Sequence, residues 1–168
     1  MRVLGLGLVA ALVLFLIYQQ NRTPGPELYN RYFKPYPAIA AALDTRERDE
    51  TSYRKCFRHA LKSYRKKQYA AATDSLLELT TQKPENDTLN LYIGLSYLAR
   101  GEVEAAQSFL AKVLNKPESA WKSTARWYLA LSHLQLGHID TARRLLIPLK
   151  NQDNLHQEEA RKVLQAID

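Results

Sequence analysis

The chain has 168 residues, of which 24 are Lys or Arg and 17 are Asp or Glu, giving a formal net charge of +7. Its length allows one ordinary domain with a short extension, and an apolar fraction of 46% excludes wholesale disorder. A single cysteine excludes an internal disulfide and a cysteine-rich zinc site, and the moderate positive charge indicates at most an acidic or membrane-surface neighbour.

An uninterrupted apolar run occupies residues 3–18 and predicts a membrane-spanning helix. Such a helix would span about 24 Å at ~1.5 Å per residue, which is short but feasible for a hydrocarbon core of roughly 30 Å. The alternatives are a cleaved signal peptide and a buried core helix. No small-residue cleavage site follows the run, and no polar residue interrupts any face of it. We therefore predict a signal-anchor at residues 1–22.

The orientation of this predicted single-pass anchor rests on two opposed features. Arg22, Arg31 and Lys34 follow the apolar run and favour a cytoplasmic carboxyl-terminal part. The very short amino-terminal tail favours the opposite arrangement, because such a tail need not be translocated. We predict that the carboxyl-terminal part lies on the extracytoplasmic (periplasmic) side of the membrane.

Residues 23–52 form a linker that is rich in proline and aromatic residues. Prolines at positions 24, 26, 35 and 37 argue against a continuous helix, and the first two predict an extended break. Four large aromatic residues then fall within eight positions: Tyr29, Tyr32, Phe33 and Tyr36. We expect this cluster to dock onto the helices that follow, because each ring buries ~150–250 Å². An interfacial belt or a partner-binding strip is the alternative.

From residue 53 onward the chain repeats a pattern of two helices joined by a tight turn. Small residues recur in pairs, which are Ala60 with Ala72, Gly94 with Ala106, and Ala130 with Ala142. Small side chains at these places let the two helices of a pair approach closely. The predicted helices are 53–66 and 68–81, 87–100 and 102–114, and 123–136 and 139–150, followed by a closing helix at 154–167.

This pattern resembles the tetratricopeptide repeat family, whose units carry a small residue and an aromatic in the first helix and an alanine in the second. The second unit matches with Ile93, Gly94, Tyr97, Ala106 and Leu110. The resemblance implies an all-α solenoid at residues 53–168, with three helix-turn-helix repeats at about 53–86, 87–120 and 123–153 and a capping helix at 154–168. With the anchor, the chain also resembles a group of bacterial single-pass membrane proteins that carry such repeats.

The resemblance implies a scaffold or adaptor that binds another protein, a peptide or helix lying in the concave groove formed by the first helices. Helical spacing predicts the groove residues: Arg54, Phe57, Leu61, Tyr64, Arg65, Leu91, Leu95, Leu98, Trp127, Leu131 and Leu134. Because most of these are apolar, we expect a mostly apolar ligand with acidic residues near Arg54 and Arg65. The alternative is that the capping helix or the aromatic cluster fills the groove from within the same chain.

The first repeat helix also carries a run of basic residues with no acid between them: Arg54, Lys55, Arg58, Lys62, Arg65, Lys66 and Lys67. A solvated face is the simplest interpretation. The alternative function is an envelope-associated subunit that binds anionic lipid or another acidic ligand through residues 54–67.

No phosphate-binding loop, nucleophile elbow or zinc-protease motif is present in the sequence. We therefore expect no enzymatic activity, no cofactor and no metal. No nucleic-acid-binding module is recognisable either, so nucleic acid is not an expected partner.

Overall fold

The computed structural model of the protein describes residues 24–38 and 52–168, and in this part of the chain all regular secondary structure is helical. The helices are α1 Gly25–Tyr32, α2 Ser52–Arg65, α3 Tyr69–Thr80, α4 Asp87–Ala99, α5 Val103–Asn115, α6 Lys122–Gln135, α7 Ile139–Asn151 and α8 Gln157–Ile167. The bounds of α2 to α7 agree with the predicted bounds within a single residue, and the closing helix α8 begins later than predicted, at Gln157.

From α2 to α8, each helix packs against the next one along the chain, so that three helix pairs and a closing helix form a stack. The close approach within the second pair depends on Gly94. A Cβ atom added there would lie 2.8 Å from Cγ of Leu110 and 3.3 Å from the carbonyl oxygen of Ala106. The small residues predicted at the corresponding positions, Ala60, Ala72, Ala106, Ala130 and Ala142, are all fully buried.

The same turn joins the two helices of every pair. In each turn one residue has a left-handed backbone, and the residue after it donates its N–H to a carbonyl five positions back, as in a Schellman motif. The left-handed residues are Lys67 (φ 61°), Gly101 (φ 79°) and Gly137 (φ 73°). The first turn thus places a lysine where the other two have the glycine that this conformation favours.

Helix α1 differs from the prediction that the prolines of the linker argue against a continuous helix. The extended break predicted around Pro24 and Pro26 is wrong: Pro24 is the N-cap of α1 and Pro26 lies in its first turn. Proline is tolerated there because the first N–H groups of a helix have no partner inside it. Arg31 and Glu27 support the helix with an ion pair of 2.9 Å. Phe33 has an extended backbone, and residues 33–38, which include Pro35 and Pro37, form no regular secondary structure.

The prediction of a single-pass membrane localisation with periplasmic repeats is corrected by the structure. Among residues 24–38 and 52–168, no helix is long and apolar enough to cross a membrane. The longest of these helices have 14 residues, which corresponds to about 21 Å against a hydrocarbon core of roughly 30 Å. The predicted span, residues 3–18, lies outside the described residues.

Candidate functional site

Residues 24–38, here called the docked segment, lie against one side of α2, α4 and α6, here called the inner face. Helix α1 holds the first half of the segment on α6 and also touches α8. Its anchors are Leu28 and Tyr29, which are 4% and 7% exposed. Gly25 allows the contact, because a Cβ atom there would lie 2.2 Å from the carbonyl oxygen of Leu134.

Tyrosines of the three first helices hold the extended half of the docked segment by its main chain. Each hydroxyl donates a hydrogen bond to a carbonyl oxygen that an extended strand cannot satisfy internally. The three bonds run from Tyr128 to Lys34 (2.6 Å), from Tyr64 to Tyr36 (2.9 Å) and from Tyr92 to Pro37 (2.8 Å). Burial raises the pKa of the Tyr64 and Tyr128 hydroxyls, which therefore remain protonated donors at neutral pH.

The aromatic cluster of the linker packs onto the repeats, as expected from the sequence. Tyr32 lies edge-on to Trp127 (6.4 Å between ring centroids), Phe33 edge-on to Tyr128 (6.1 Å) and Tyr36 edge-on to Trp121 (5.8 Å). The Tyr29 hydroxyl donates to the carbonyl oxygen of Leu98 at 3.2 Å, and burial raises its pKa to about 12. The docked segment therefore covers much of the inner face that a partner was predicted to occupy.

The residues predicted to line the groove fall into two groups. Arg54 and Arg65 are exposed and Phe57 is half-buried. The remainder are buried: Leu61, Tyr64, Leu91, Leu95, Leu98, Trp127, Leu131 and Leu134. Helical spacing placed these residues on the correct helices. It did not show that neighbouring helices and the docked segment cover most of them.

The predicted basic patch lies along α2. Lys55, Lys62, Arg65, Lys66 and Lys67 are exposed together with Arg54, whereas Arg58 is half-buried. Lys55, together with Cys56 and His59, lines a cavity of about 340 Å³ beside α2. Cys56 is an exposed, free thiol. In the described part of the chain, no group of three or more His, Cys, Asp and Glu side chains is placed to hold a metal ion.

An open cavity of about 430 Å³, here called the cleft, lies between the docked segment, α6 and the beginning of α8. This volume is within the range of roughly 300–1,000 Å³ that is usual for ligand sites. The lining residues are Arg31, Tyr32, Lys34, Pro35, Tyr36, Pro37, Trp127, Tyr128, Leu155, His156, Glu159 and Lys162. Half of these belong to the docked segment, so the cleft exists only while the segment is in place.

Charged and apolar groups meet at the rim of the cleft. Lys34 and Lys162 are exposed, and neither forms an ion pair within residues 24–38 and 52–168. Glu159 contributes the acidic side chain of the lining. Leu155 is 69% exposed, which is unusual for a large apolar side chain in this structure.

His156 forms part of the wall of the cleft and is almost completely buried. Its ring stacks on Trp127 with centroids 5.3 Å apart and planes within 7°, and its backbone N–H donates to Oδ1 of Asn154 at 2.9 Å. Only 7% of the residue is exposed, and its Nε2 atom has no hydrogen-bond partner within the described part of the chain. Burial lowers the pKa of His156 to about 4, with Glu159 acting weakly in the opposite direction, so the ring is neutral at pH 7.

The sequence pattern predicts neither a role for His156 nor the cleft. One local pattern points to part of the arrangement: Asn154 precedes His156 by two positions, and Glu158 and Glu159 follow in the first helical turn. An Asn before acidic residues is typical of a helix start. The stacking partner Trp127 lies on another helix and cannot be inferred from that pattern.

Comparison with known proteins identifies one part of the stack. Residues 87–119 match the family model of the tetratricopeptide repeat, and these residues contain α4, α5 and the Gly94 contact. No curated protein and no solved structure matches the chain. The match leaves the resemblance to bacterial single-pass membrane proteins unconfirmed. The second helix pair is thus similar to the tetratricopeptide repeat, a unit that generally mediates protein–protein interactions.

Proposed function

We propose that the chain is a protein-interaction module that binds a short segment of a partner protein in the cleft, and that its role is binding and not catalysis. The tetratricopeptide match at residues 87–119 supports the class of function. The observation that carries the choice of site is that the docked segment covers the inner face but leaves the cleft open.

The alternative is that a partner displaces the docked segment from the inner face. That alternative is disfavoured by effective concentration, because a segment tethered by a short linker competes at about millimolar level. A partner would also have to expose Leu28 and Tyr29 and break the three tyrosine bonds. The cleft needs no such displacement, and the tyrosines and tryptophan of its lining are residue types that interface cores favour.

The proposal is tested with Leu155, which lines the cleft and is exposed enough to be replaced without disturbing the fold. Peptides selected from a random phage-displayed library against the full-length chain would be synthesised with a fluorescent label. Their affinity would be measured by fluorescence anisotropy. We expect Leu155→Asn, which removes the apolar contact without adding a charge, to weaken binding at least tenfold.

A matched control is Ile147→Asn on α7, because Ile147 is the other exposed large apolar residue of the described chain, at 44%, and does not line the cleft. Binding by Ile147→Asn should equal that of the unmodified chain. Equal binding by Leu155→Asn, or a loss confined to Ile147→Asn, would place the binding site elsewhere.

A further inference from the structure

The chemistry of the cleft identifies the kind of partner segment it fits, an inference that rests on the proposed function. We infer that the cleft binds an acidic peptide segment, whose carboxylates pair with Lys34 and Lys162 while an adjacent apolar side chain packs between the aromatic wall and Leu155. The charge of the lining and its apolar surface each support this inference.

The charge of the lining favours an anion. Arg31, Lys34 and Lys162 supply three positive charges against one negative charge from Glu159, which leaves a net charge of +2. Arg31 is paired with Glu27, but both side chains are mostly exposed, and such a pair holds an arginine only weakly. Cations collected in a cavity with protein walls attract an acidic ligand more strongly than the same cations spread over an open surface.

The wall of the cleft accounts for the apolar part of the ligand. Tyr32 and Tyr36 are half-buried and line the cleft together with Pro35 and Pro37. Leu155 comes from the segment that precedes α8, not from the docked segment. It contributes a largely exposed apolar side chain to the same cavity. A ligand that was only a small inorganic anion would leave this surface uncovered, whereas a peptide with an apolar residue beside its acid would cover it.

The basic patch on α2 supplies control positions for the charge variants, because it also contains exposed lysines. Lys62 and Lys66 belong to that patch and do not line the cleft. The double variants Lys34→Glu/Lys162→Glu and Lys62→Glu/Lys66→Glu change the net charge of the full-length chain equally. A difference between them therefore reports the position of the charges and not their number.

The experiment uses the labelled peptides selected against the full-length chain and a version of each in which Asp and Glu are replaced by Asn and Gln. We expect the selected sequences to be enriched in acidic residues next to an apolar one. Lys34→Glu/Lys162→Glu should weaken binding at least tenfold, whereas Lys62→Glu/Lys66→Glu should change it less than threefold. The amide versions should bind the unmodified chain at least tenfold more weakly.

Two further measurements keep the outcomes distinct. Lys34→Gln/Lys162→Gln removes the charges without introducing repulsion at Glu159, and a thermal melt of each variant shows whether it is folded. Peptides that lack acidic residues, bind the Gln variant normally and lose binding to Leu155→Asn would overturn the acidic ligand and leave the proposed function standing. Selected peptides that are insensitive to Leu155→Asn would contradict the proposed function itself.

Discussion

The Tyr128 hydroxyl donates a 2.6 Å hydrogen bond to the carbonyl oxygen of Lys34, which lies 94 residues earlier in the chain. The third repeat thereby holds the main chain of the docked segment and leaves the Lys34 side chain exposed at the rim of the cleft. Tyr64 and Tyr92 hold two further carbonyl groups in the same way. The segment is therefore held by its main chain, while its side chains can serve as part of a binding surface.

Tyr128→Phe should lower the free energy of unfolding by about 0.5–1.5 kcal/mol, because one hydrogen bond of the docked segment is lost while the ring is kept. Tyr97→Phe is the control. Tyr97 stacks on Phe109, and its hydroxyl makes no hydrogen bond to the docked segment. Urea denaturation of the two variants would measure the difference. An equal loss in both would show that the effect does not come from the bond to Lys34.

Gly25→Ala should destabilise the packing of α1 on α6. The added methyl group would lie 2.2 Å from the carbonyl oxygen of Leu134, and a backbone atom cannot rotate away as a side chain can. Overpacking of this kind typically costs ~1–3 kcal/mol. Asn30→Ala, at an exposed position of the same helix, should leave the melting temperature nearly unchanged. Similar melting temperatures for Gly25→Ala and the unmodified chain would mean that α1 does not pack as closely as described.

Lys67→Gly should stabilise the protein by up to about 1 kcal/mol. Lys67 has a φ of 61°, and this left-handed conformation costs a residue with a Cβ atom ~1–2 kcal/mol. Replacing it with glycine removes that cost, but part of the gain is offset because glycine makes the unfolded chain more flexible. Gly101→Ala makes the opposite change in the equivalent turn of the second helix pair. It should be destabilising, because Gly101 has a φ of 79°. The midpoints of urea denaturation would decide it. A lower midpoint for Lys67→Gly would contradict the prediction.

Acidification should destabilise the fold partly through His156. Its pKa is about 4 in the folded protein against 6.5 for the ordinary side chain, so between these values the unfolded chain binds more protons than the folded one. The stability that the folded protein has with His156 neutral is fully present above pH 6.5, and it is lost progressively as the pH falls from 6.5 through 4. His156→Phe, which keeps a ring against Trp127, should show a smaller loss of stability over this interval.

The direct measurement for His156 is an NMR titration of its ring protons in the folded full-length chain. The resonance is assigned by its absence in His156→Phe. A titration midpoint near the ordinary value of 6.5 would show that the ring is hydrated, and would be inconsistent with its burial between Trp127 and Tyr128.

The helix pairs were predictable because they depend on local features that repeat along the chain. Alanine or glycine at the helix contacts marks every unit, and the predicted bounds of α2 to α7 agree with the structure within a single residue. Helix α1 is not predictable in this way, because proline both ends helices and begins them, and Pro24 and Pro26 begin one.

The candidate site could not be predicted in the same way, because it joins residues that are far apart in the chain. Tyr32, Trp127 and His156 come from three separate elements, and no periodic pattern relates their positions. The predicted groove placed Trp127 correctly at the inner face. The prediction placed a partner on the rest of the inner face, whereas the chain covers that face with its own docked segment. Sequence spacing does not show which apolar faces a distant part of the chain will cover.

The docked segment also changes how the stack should come apart. In a linear array whose units contact only their neighbours, the terminal units can fray independently of the rest. Here residues 34–37 are bonded to Tyr64, Tyr92 and Tyr128, one residue from each helix pair. Opening any one pair breaks a bond to the docked segment shared by all three, so the array should unfold in one cooperative transition, with fraying at the first pair suppressed.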